Sequence, residues 1–194
     1  MESGRTTNNK LNEVTIKGKR SDKLAVFDLD DTLIISAAMI QVLDINTGKV
    51  IKSLTPAEFN FFKPNKKTSL SFKEFEDFDI LKKSKFIIEI LNKLLAYYKS
   101  GVHVSILTAR SNSDMIRKFF LENGIDIHPD LCIAVNDPRH GLSGNIAQKK
   151  KEALHTLVDQ GYSDFIFFDD NHENLELAKE IEKEKDVKVK TVKV

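Results

Sequence analysis

Residues 26–33 read Val26-Phe27-Asp28-Leu29-Asp30-Asp31-Thr32-Leu33, so an apolar run ends directly in carboxylates. In an open parallel sheet, ligands bind outside the carboxyl ends of the strands. Two carboxylates that face one volume raise each other's pKa unless a cation neutralises them. Asp28 and Asp30 therefore indicate a site for a hard cation, and Mg²⁺ suits such oxygen ligands. A solvated acidic turn is the alternative, and a calcium loop is disfavoured because Leu33 stands where the EF-hand pattern requires glycine.

Four short apolar runs predict the strands of a buried sheet, because they are rich in β-branched or aromatic residues and too short for core helices. They span residues 24–27, 102–107, 131–135 and 165–168. Between the runs, apolar residues recur at helical spacing before Gly101, Gly124 and Gly161, where helix C-caps are expected. This alternation predicts an α/β fold with a doubly wound parallel sheet of Rossmann-like type. A last alternating stretch, residues 187–194, predicts an edge strand protected by lysines.

The segment 34–83 does not follow this alternation. It contains a predicted hairpin over residues 41–51, with Gly48 near the turn, and then a polar stretch rich in phenylalanine. About 50 residues exceed what a loop between a strand and the next helix needs, so we interpret the segment as an inserted cap. The predicted organisation is a flexible arm of residues 1–20, a core of residues 21–33 and 84–194, and a cap of residues 34–83.

The composition of the chain limits the class of protein. Lys and Arg total 30 against 29 Asp and Glu, so a net charge of +1 offers no overall field for nucleic acid or a membrane. Neither a run of about 18 apolar residues nor the apolar centre of a signal peptide is present. The single cysteine, Cys132, excludes an intramolecular disulfide and is expected to be a buried small residue. We expect a soluble, cytoplasmic protein with no membrane partner, and the pattern predicts no particular oligomeric state.

Two later strands also end in polar residues. The fourth run leads into Asp169-Asp170, and if its strand lies beside the first, four or five carboxylates converge at one edge. Such crowding is costly without a bound cation. The second run ends in Thr108-Ala109-Arg110, where a hydroxyl and backbone N–H groups lie near a helix N-cap expected at Ser111 or Ser113. These groups predict a phosphate-binding cradle.

In their order along the chain, these motifs resemble those of the haloacid dehalogenase superfamily of phosphohydrolases. The shared features are Asp-x-Asp-x-Thr at 28–32, an apolar strand leading into Thr-Ala-Arg at 108–110, and a lysine at the start of a helix before Asp-Asp at 169–170. The resemblance covers roughly residues 23–186, and the cap is its least assignable part. The cap stretch 54–60 and its hairpin are similar to those of uncharacterised members encoded by large bacteriophages.

The resemblance implies a role for each motif. Asp28 would be the nucleophile that becomes an aspartyl phosphate, and Asp30 would protonate the leaving oxygen and later accept a proton from water. Mg²⁺ would be held by Asp28, the backbone carbonyl of Asp30, and Asp170. Asp169 would hold the motif's lysine in place. The phosphoryl group would be bound by Thr108, Ala109, Arg110 and that lysine.

Three of these assignments leave alternatives open. The motif lysine is Lys149, Lys150 or Lys151, and Lys150 is preferred because helical spacing places it on the inward face of its helix. Arg110 either contacts the substrate or pairs with a surface carboxylate. Asn171 and Asn174 either cap the last helix or orient Asp170, and capping is favoured.

The expected substrate is a nucleotide or another small phosphorylated metabolite, hydrolysed with Mg²⁺, because an inserted cap limits access to small molecules. The first alternative is a polynucleotide 3′-phosphatase, since lysines interleaved with phenylalanines could pair with phosphates while bases stack. These lysines, here called the basic cluster, are Lys63, Lys66, Lys67, Lys82, Lys83 and Lys85. A small cap core of phenylalanines surrounded by solvated lysines is the plainer interpretation. The second alternative is a non-catalytic module that binds phosphate or metal on the same scaffold.

Overall fold

The computed structural model describes residues 22–59 and 61–194, so the arm predicted over residues 1–20 lies outside the described residues. In chain order the strands and helices are β1 (Lys23–Phe27), β2 (Ile34–Ile35), β3 (Ile40–Asp44), β4 (Val50–Leu54), α1 (Pro56–Phe59), β5 (Thr68–Ser71), α2 (Phe78–Leu81), β6 (Lys85–Phe86), α3 (Ile88–Lys99), β7 (His103–Thr108), α4 (Ser113–Glu122), β8 (Cys132–Ala134), α5 (Ile146–Asp159), β9 (Asp164–Asp169), α6 (His172–Lys185) and β10 (Lys188–Lys193). Single 3₁₀ turns occupy Lys73–Glu76, Pro129–Leu131 and Pro138–His140. Among the described helices, none is long and apolar enough to cross a membrane.

The central sheet has five strands in the order β10-β9-β1-β7-β8, and all of its neighbouring pairs are parallel. The chain moves from β1 to β7 and β8 through α3 and α4, and it returns to β9 and β10 through α5 and α6. Because such crossovers are right-handed, the two pairs of helices cover opposite faces. In agreement, the ring of Phe27 contacts Tyr97 of α3, whereas Phe167 lies under Lys150 of α5. The predicted α/β fold, a parallel sheet flanked by helices, is therefore confirmed.

Strand β1 is the centre of the core, and its burial explains its apolar sequence. Leu24, Ala25, Val26 and Phe27 have no exposed surface, and the ring of Phe27 stacks on Phe168 with centroids 4.5 Å apart. The register pairs Phe27 with Phe168 of β9 and with Ile106 of β7. The polar residues that follow these strands consequently meet at one edge of the sheet.

The predicted edge strand and the ends of the helices are also present. Strand β10 lies at the edge beside β9, with Val189 buried and the neighbouring lysines exposed. Gly101 and Gly124 follow α3 and α4 in the left-handed region, with φ of 78° and 77°, as the C-cap prediction requires. Helix α4 begins at Ser113, and the predicted N-cap at Ser111 or Ser113 was wrong, because the side chain of Asn112 accepts a hydrogen bond from Met115 N and caps the helix.

Residues 34–83, here called the inserted segment, form a three-stranded sheet and supply one strand of a two-stranded sheet. Strand β2 pairs antiparallel with β6, which joins the beginning of the segment to the chain that follows it. The predicted hairpin is confirmed as β3 and β4, and β5 pairs with the other side of β3. Strand β5, which the sequence analysis did not predict, reads Thr-Ser-Leu-Ser and has only one apolar residue.

The buried centre of the inserted segment is aliphatic rather than aromatic. Ile40, Val42 and Leu54 are buried, with Phe59, Phe62, Leu70 and Phe75 packed around them. Other phenylalanines of the segment lie elsewhere: Phe61 is 87% exposed and Phe72 is 46% exposed. The phenylalanines therefore surround a small aliphatic core instead of forming one.

Candidate active site

Asp28 lies immediately after β1 and makes the central ion pair of the cleft. Lys150 Nζ donates to Asp28 Oδ1 at 2.6 Å and to Asp169 Oδ2 at 2.7 Å, and all three residues are buried. Burial alone would lower the pKa of Lys150, but the charges of Asp28 and Asp169 outweigh it and raise this pKa. Lys150 is thus a cation held between two buried carboxylates.

Asp169 is fixed by several donors, which distinguishes it from the other carboxylates of the site. Asn174 Nδ2 donates to its two oxygens at 2.9 and 3.0 Å, and the backbone N–H of Asn171 donates to Oδ1 at 2.8 Å. Asn171 also caps α6 through its side chain, as predicted. Asn174, for which capping was favoured, instead orients Asp169.

The neighbours of Lys150 point away from the carboxylates. Lys149 Nζ donates to Asn136 Oδ1 at 2.8 Å, and Lys151 pairs on the surface with Glu180 and Glu184. Of the three candidate lysines, the structure brings only Lys150 into contact with Asp28.

Asp28, Asp169 and Asp170 form an acidic group that could hold a metal ion, with one oxygen from each lying within 4.8 Å of the others. Burial raises the pKa of Asp170 to about 6, and the negative charges of Asp169 and Asp31 add to the rise. Burial also raises the pKa of Asp28, although Lys150 opposes the effect. These three carboxylates offer only oxygen ligands and carry negative charge, which suits a hard divalent cation.

The backbone after Asp28 forms a compact turn. Leu33 and Ile34 both donate to the carbonyl of Leu29 at 2.9 Å, and Asp31 adopts the left-handed region with φ 59°. Thr32 is fully buried, and its hydroxyl has no hydrogen-bond partner among the described residues. Within this turn, the Asp30 side chain contacts Arg110, which follows β7.

Arg110 pairs with Asp30 rather than with a surface carboxylate. Its Nε donates to Asp30 Oδ2 at 3.0 Å and its Nη2 donates to Oδ1 at 2.8 Å. The same guanidinium donates to Ser36 Oγ and to the backbone carbonyl of Phe75, and it lies 5.0 Å from the centre of the Phe75 ring. The contact with substrate that the sequence allowed for Arg110 stays a prediction.

The predicted phosphate cradle lies on the floor of the same cleft. Thr108 is buried at the end of β7, and its hydroxyl accepts a hydrogen bond from Arg110 N at 3.3 Å. Ala109 is exposed to the cleft, and its carbonyl accepts from Asn136 Nδ2 at 2.7 Å. Substrate binding by Thr108 and Ala109 stays a prediction.

The cleft above these residues has a volume of about 800 Å³ and lies between the strand ends and the inserted segment. Its residues from the inserted segment are Ile40, Pro56, Phe59, Phe72, Phe75 and Glu76. Sequence reasoning named the phenylalanines but did not place them here. It missed Ser36 and Asn136 altogether, because single polar residues in loops carry no pattern.

Comparison with known proteins assigns no family or function to this site. No model of a known protein family matches the chain, and no curated protein matches its sequence. The function must therefore be inferred from the arrangement of Asp28, Asp30, Lys150 and the neighbouring carboxylates.

Proposed function

We propose that this protein is a Mg²⁺-dependent phosphomonoesterase of the haloacid dehalogenase type, acting on a small phosphorylated molecule. The observation that carries the proposal is the buried Asp28 carboxylate at the end of the central strand, in contact with Lys150 and beside Asp169 and Asp170. Burying a carboxylate costs free energy, so a structural role alone does not explain why Asp28 is buried at this position. Such perturbed groups in a cleft are candidates for chemistry.

Asp28 is the proposed nucleophile. Because Lys150 holds Oδ1, the other oxygen remains as the atom that attacks phosphorus. Its bond to phosphorus forms as the bond to the leaving oxygen breaks, which gives an aspartyl phosphate. Water then attacks the same phosphorus, and the Asp28 carboxylate is regenerated.

Asp30 is the proposed general acid and base. In the first step its carboxyl gives a proton to the leaving oxygen, so that an alcohol departs. In the second step its carboxylate takes a proton from the attacking water, which restores the starting state. The sum is one phosphomonoester and one water converted to one alcohol and one inorganic phosphate.

Asp28 and Asp170, with the backbone carbonyl of Asp30, would hold the metal ion. Asp169 is less suited to this task because Lys150, Asn171 and Asn174 already donate to its oxygens. When bound, Mg²⁺ supplies positive charge that offsets the repulsion between an anionic nucleophile and a phosphate oxygen.

The surroundings of the cleft favour a small substrate over a polynucleotide. Among the described residues, the cleft lining contains no member of the basic cluster, and it does contain the acidic side chains of Glu76 and Glu173. Lys82 of the cluster pairs with Asp79 and lies over the ring of Phe78, outside the cleft. Binding of single strands requires a positive groove that follows the backbone. We therefore expect one phosphate group, rather than a chain of them, to enter.

The test is phosphate release from p-nitrophenyl phosphate and nucleoside monophosphates with Mg²⁺, comparing wild type with Asp28→Asn. We expect a loss of at least ~10³-fold, because the substitution removes the covalent route. Asp159→Asn is the matched control, since Asp159 is a surface residue paired with Lys185. Acid quenching of wild type with ³²P-labelled substrate should trap a hydroxylamine-sensitive label on the peptide that contains Asp28.

Three results would contradict the proposal. Equal rates for wild type and Asp28→Asn would exclude the aspartyl phosphate. Tight phosphate or Mg²⁺ binding without turnover of any substrate would favour the non-catalytic module. A salt-sensitive preference for 3′-phosphorylated oligonucleotides would instead favour the polynucleotide alternative.

A further inference from the structure

Arg110 is an arginine whose charge is almost completely removed from solvent at the wall of the cleft. Its side chain is 1% exposed, while the Asp30 side chain that it binds is 17% exposed. A buried guanidinium needs a charged partner and acceptors for its fixed fork of N–H groups. Here the partner is the proposed general acid, and the further acceptors belong to the inserted segment.

The contacts of Arg110 fall into two groups. Toward the core, Nε and Nη2 each donate to one oxygen of Asp30, at 3.0 and 2.8 Å. Toward the inserted segment, Nη2 donates to Ser36 Oγ at 3.1 Å and Nη1 donates to the Phe75 carbonyl at 3.0 Å. The first group fixes the plane of the Asp30 carboxylate, since a bidentate pair adds geometric specificity to its energy. The second group fixes the guanidinium itself.

We propose that Arg110 is a positioning residue that holds Asp30 in place for proton transfer to the leaving oxygen, and that Ser36 and the Phe75 carbonyl hold Arg110. The inference rests on the proposed phosphatase function. It makes the inserted segment part of the machinery for proton transfer, in addition to any role in admitting the substrate.

Positioning of the general acid predicts a dependence of the rate on the leaving group, which a purely structural role of Arg110 would not produce. Breaking the bond from phosphorus to an alkoxide requires a proton for the departing oxygen, which Asp30 supplies. Breaking the bond to p-nitrophenolate does not, because that anion is a stable leaving group. Loss of the Arg110 fork should therefore slow formation of the aspartyl phosphate from alkyl phosphates much more than from p-nitrophenyl phosphate.

The decisive variant is Arg110→Lys, which keeps the charge but removes the bidentate fork. We expect kcat/KM for an alkyl phosphate such as glycerol phosphate, which reports only the steps up to departure of the alcohol, to fall by about 10²-fold, at the low end of what general acid catalysis contributes. For p-nitrophenyl phosphate we expect kcat/KM to change by less than about 5-fold, because the general acid contributes little to the departure of p-nitrophenolate. Arg117→Lys is the matched control, since Arg117 binds Asp126 and the carbonyl of Ile127 at the surface.

A double substitution tests whether Arg110 acts through Asp30. With Asp30→Asn already present, Arg110→Lys should cause almost no further loss on the alkyl phosphate, because the group that it positions has gone. Ser36→Ala, which removes one acceptor of the guanidinium, should produce a weaker form of the same dependence on the leaving group. Ser36→Ala keeps the test valid if thermal unfolding shows that Arg110→Lys is poorly folded.

The outcomes separate this inference from the function on which it rests. Equal losses on both substrates in Arg110→Lys and Ser36→Ala, or additive losses with Asp30→Asn, would overturn the positioning role while leaving a working phosphatase. A large rise in KM with kcat unchanged would also overturn it, in favour of direct substrate binding by Arg110. A wild-type protein that hydrolyses neither substrate with Mg²⁺ would overturn the proposed function itself.

Discussion

The two walls of the cleft are built in different ways. On the side of the strand ends, charged groups are buried and joined to one another, as in the contacts of Lys150 with Asp28 and Asp169. On the side of the inserted segment, the wall is mostly apolar, and Phe72 keeps 46% of its surface exposed. Buried polar groups that bind one another fix a single geometry, whereas a half-exposed ring can adapt to what it contacts. The difference suggests that one wall carries the reaction and the other selects the substrate.

Arg110 joins the two walls through its bonds to Asp30 on one side and to Ser36 and the Phe75 carbonyl on the other. Ser111 Oγ adds a contact to Glu76 Oε1 at 3.2 Å, nearer the surface. If the division between the walls is correct, substitutions at the strand ends should affect kcat, metal binding and stability. Substitutions in the inserted segment, apart from the residues that hold Arg110, should affect mainly KM.

The largest effect on stability is expected at Lys150. Lys150→Met removes the cation from between Asp28 and Asp169, which leaves two buried carboxylates without a compensating positive charge. We expect the free energy of unfolding to fall by about 3–5 kcal/mol in the absence of metal, measured by urea denaturation. Phosphatase activity should fall by at least ~10²-fold, because Asp28 loses its orientation.

Lys151→Met is the matched control for Lys150→Met, since it is the next residue on the same helix. Its partners, Glu180 and Glu184, lie at the surface, where ion pairs contribute at most about 1 kcal/mol. Comparable losses of stability and activity in the two variants would show that the buried ion pairs at the strand ends are no more important than surface ion pairs. That result would contradict the proposed difference between the two walls.

A smaller effect is expected at Asp170, and it depends on pH. The pKa of Asp170 is raised from 3.8 to about 6 in the folded protein. As pH rises between these values, the unfolded chain releases the Asp170 proton before the folded protein does, so the metal-free protein loses stability. At pH 7.5 without metal, Asp170→Asn should therefore melt about 2–4 °C above wild type, and this advantage should shrink toward pH 5.

Mg²⁺ should reverse the order of the two proteins. A bound cation stabilises wild type by mass action, but Asp170→Asn lacks one of the proposed ligands and should respond weakly. The measurement is the melting temperature against Mg²⁺ concentration, with Asp159→Asn as the control for loss of a surface carboxylate. If Mg²⁺ raised the melting temperatures of wild type and Asp170→Asn equally, Asp170 would not be a ligand of the metal.

The same contrast between the walls explains how much of the molecule could be predicted from its sequence. Strands such as Leu24-Ala25-Val26-Phe27 have a strong apolar signal because both of their faces are buried. The polar residues that follow parallel strands must meet at one edge. The predicted grouping of Asp28 with Asp169 and Asp170 is what the structure contains.

The inserted segment was less predictable for physical reasons. Strand β5 has no alternating apolar pattern, and its place is set by pairing with β3 rather than by burial. The partner of Arg110 lies 80 residues earlier in the chain, and it could be found only from the tertiary structure. Asn174 likewise had the usual sequence context of a capping residue, yet its amide orients Asp169. The local sequence pattern around a residue does not show which distant side chain it will contact.

The smallest effect is expected at Phe72, and it tests the other wall. Phe72 contacts Phe59 edge-on and presents much of its ring to the cleft, so Phe72→Ala should remove apolar contact with the organic part of a substrate. We expect KM for a nucleoside monophosphate to rise about 3–10-fold, the scale of one partly buried apolar contact, with kcat nearly unchanged. Phe61→Ala is the control, because Phe61 is 87% exposed and does not line the cleft. A fall in kcat without a change in KM would place Phe72 with the reaction and contradict the division between the walls.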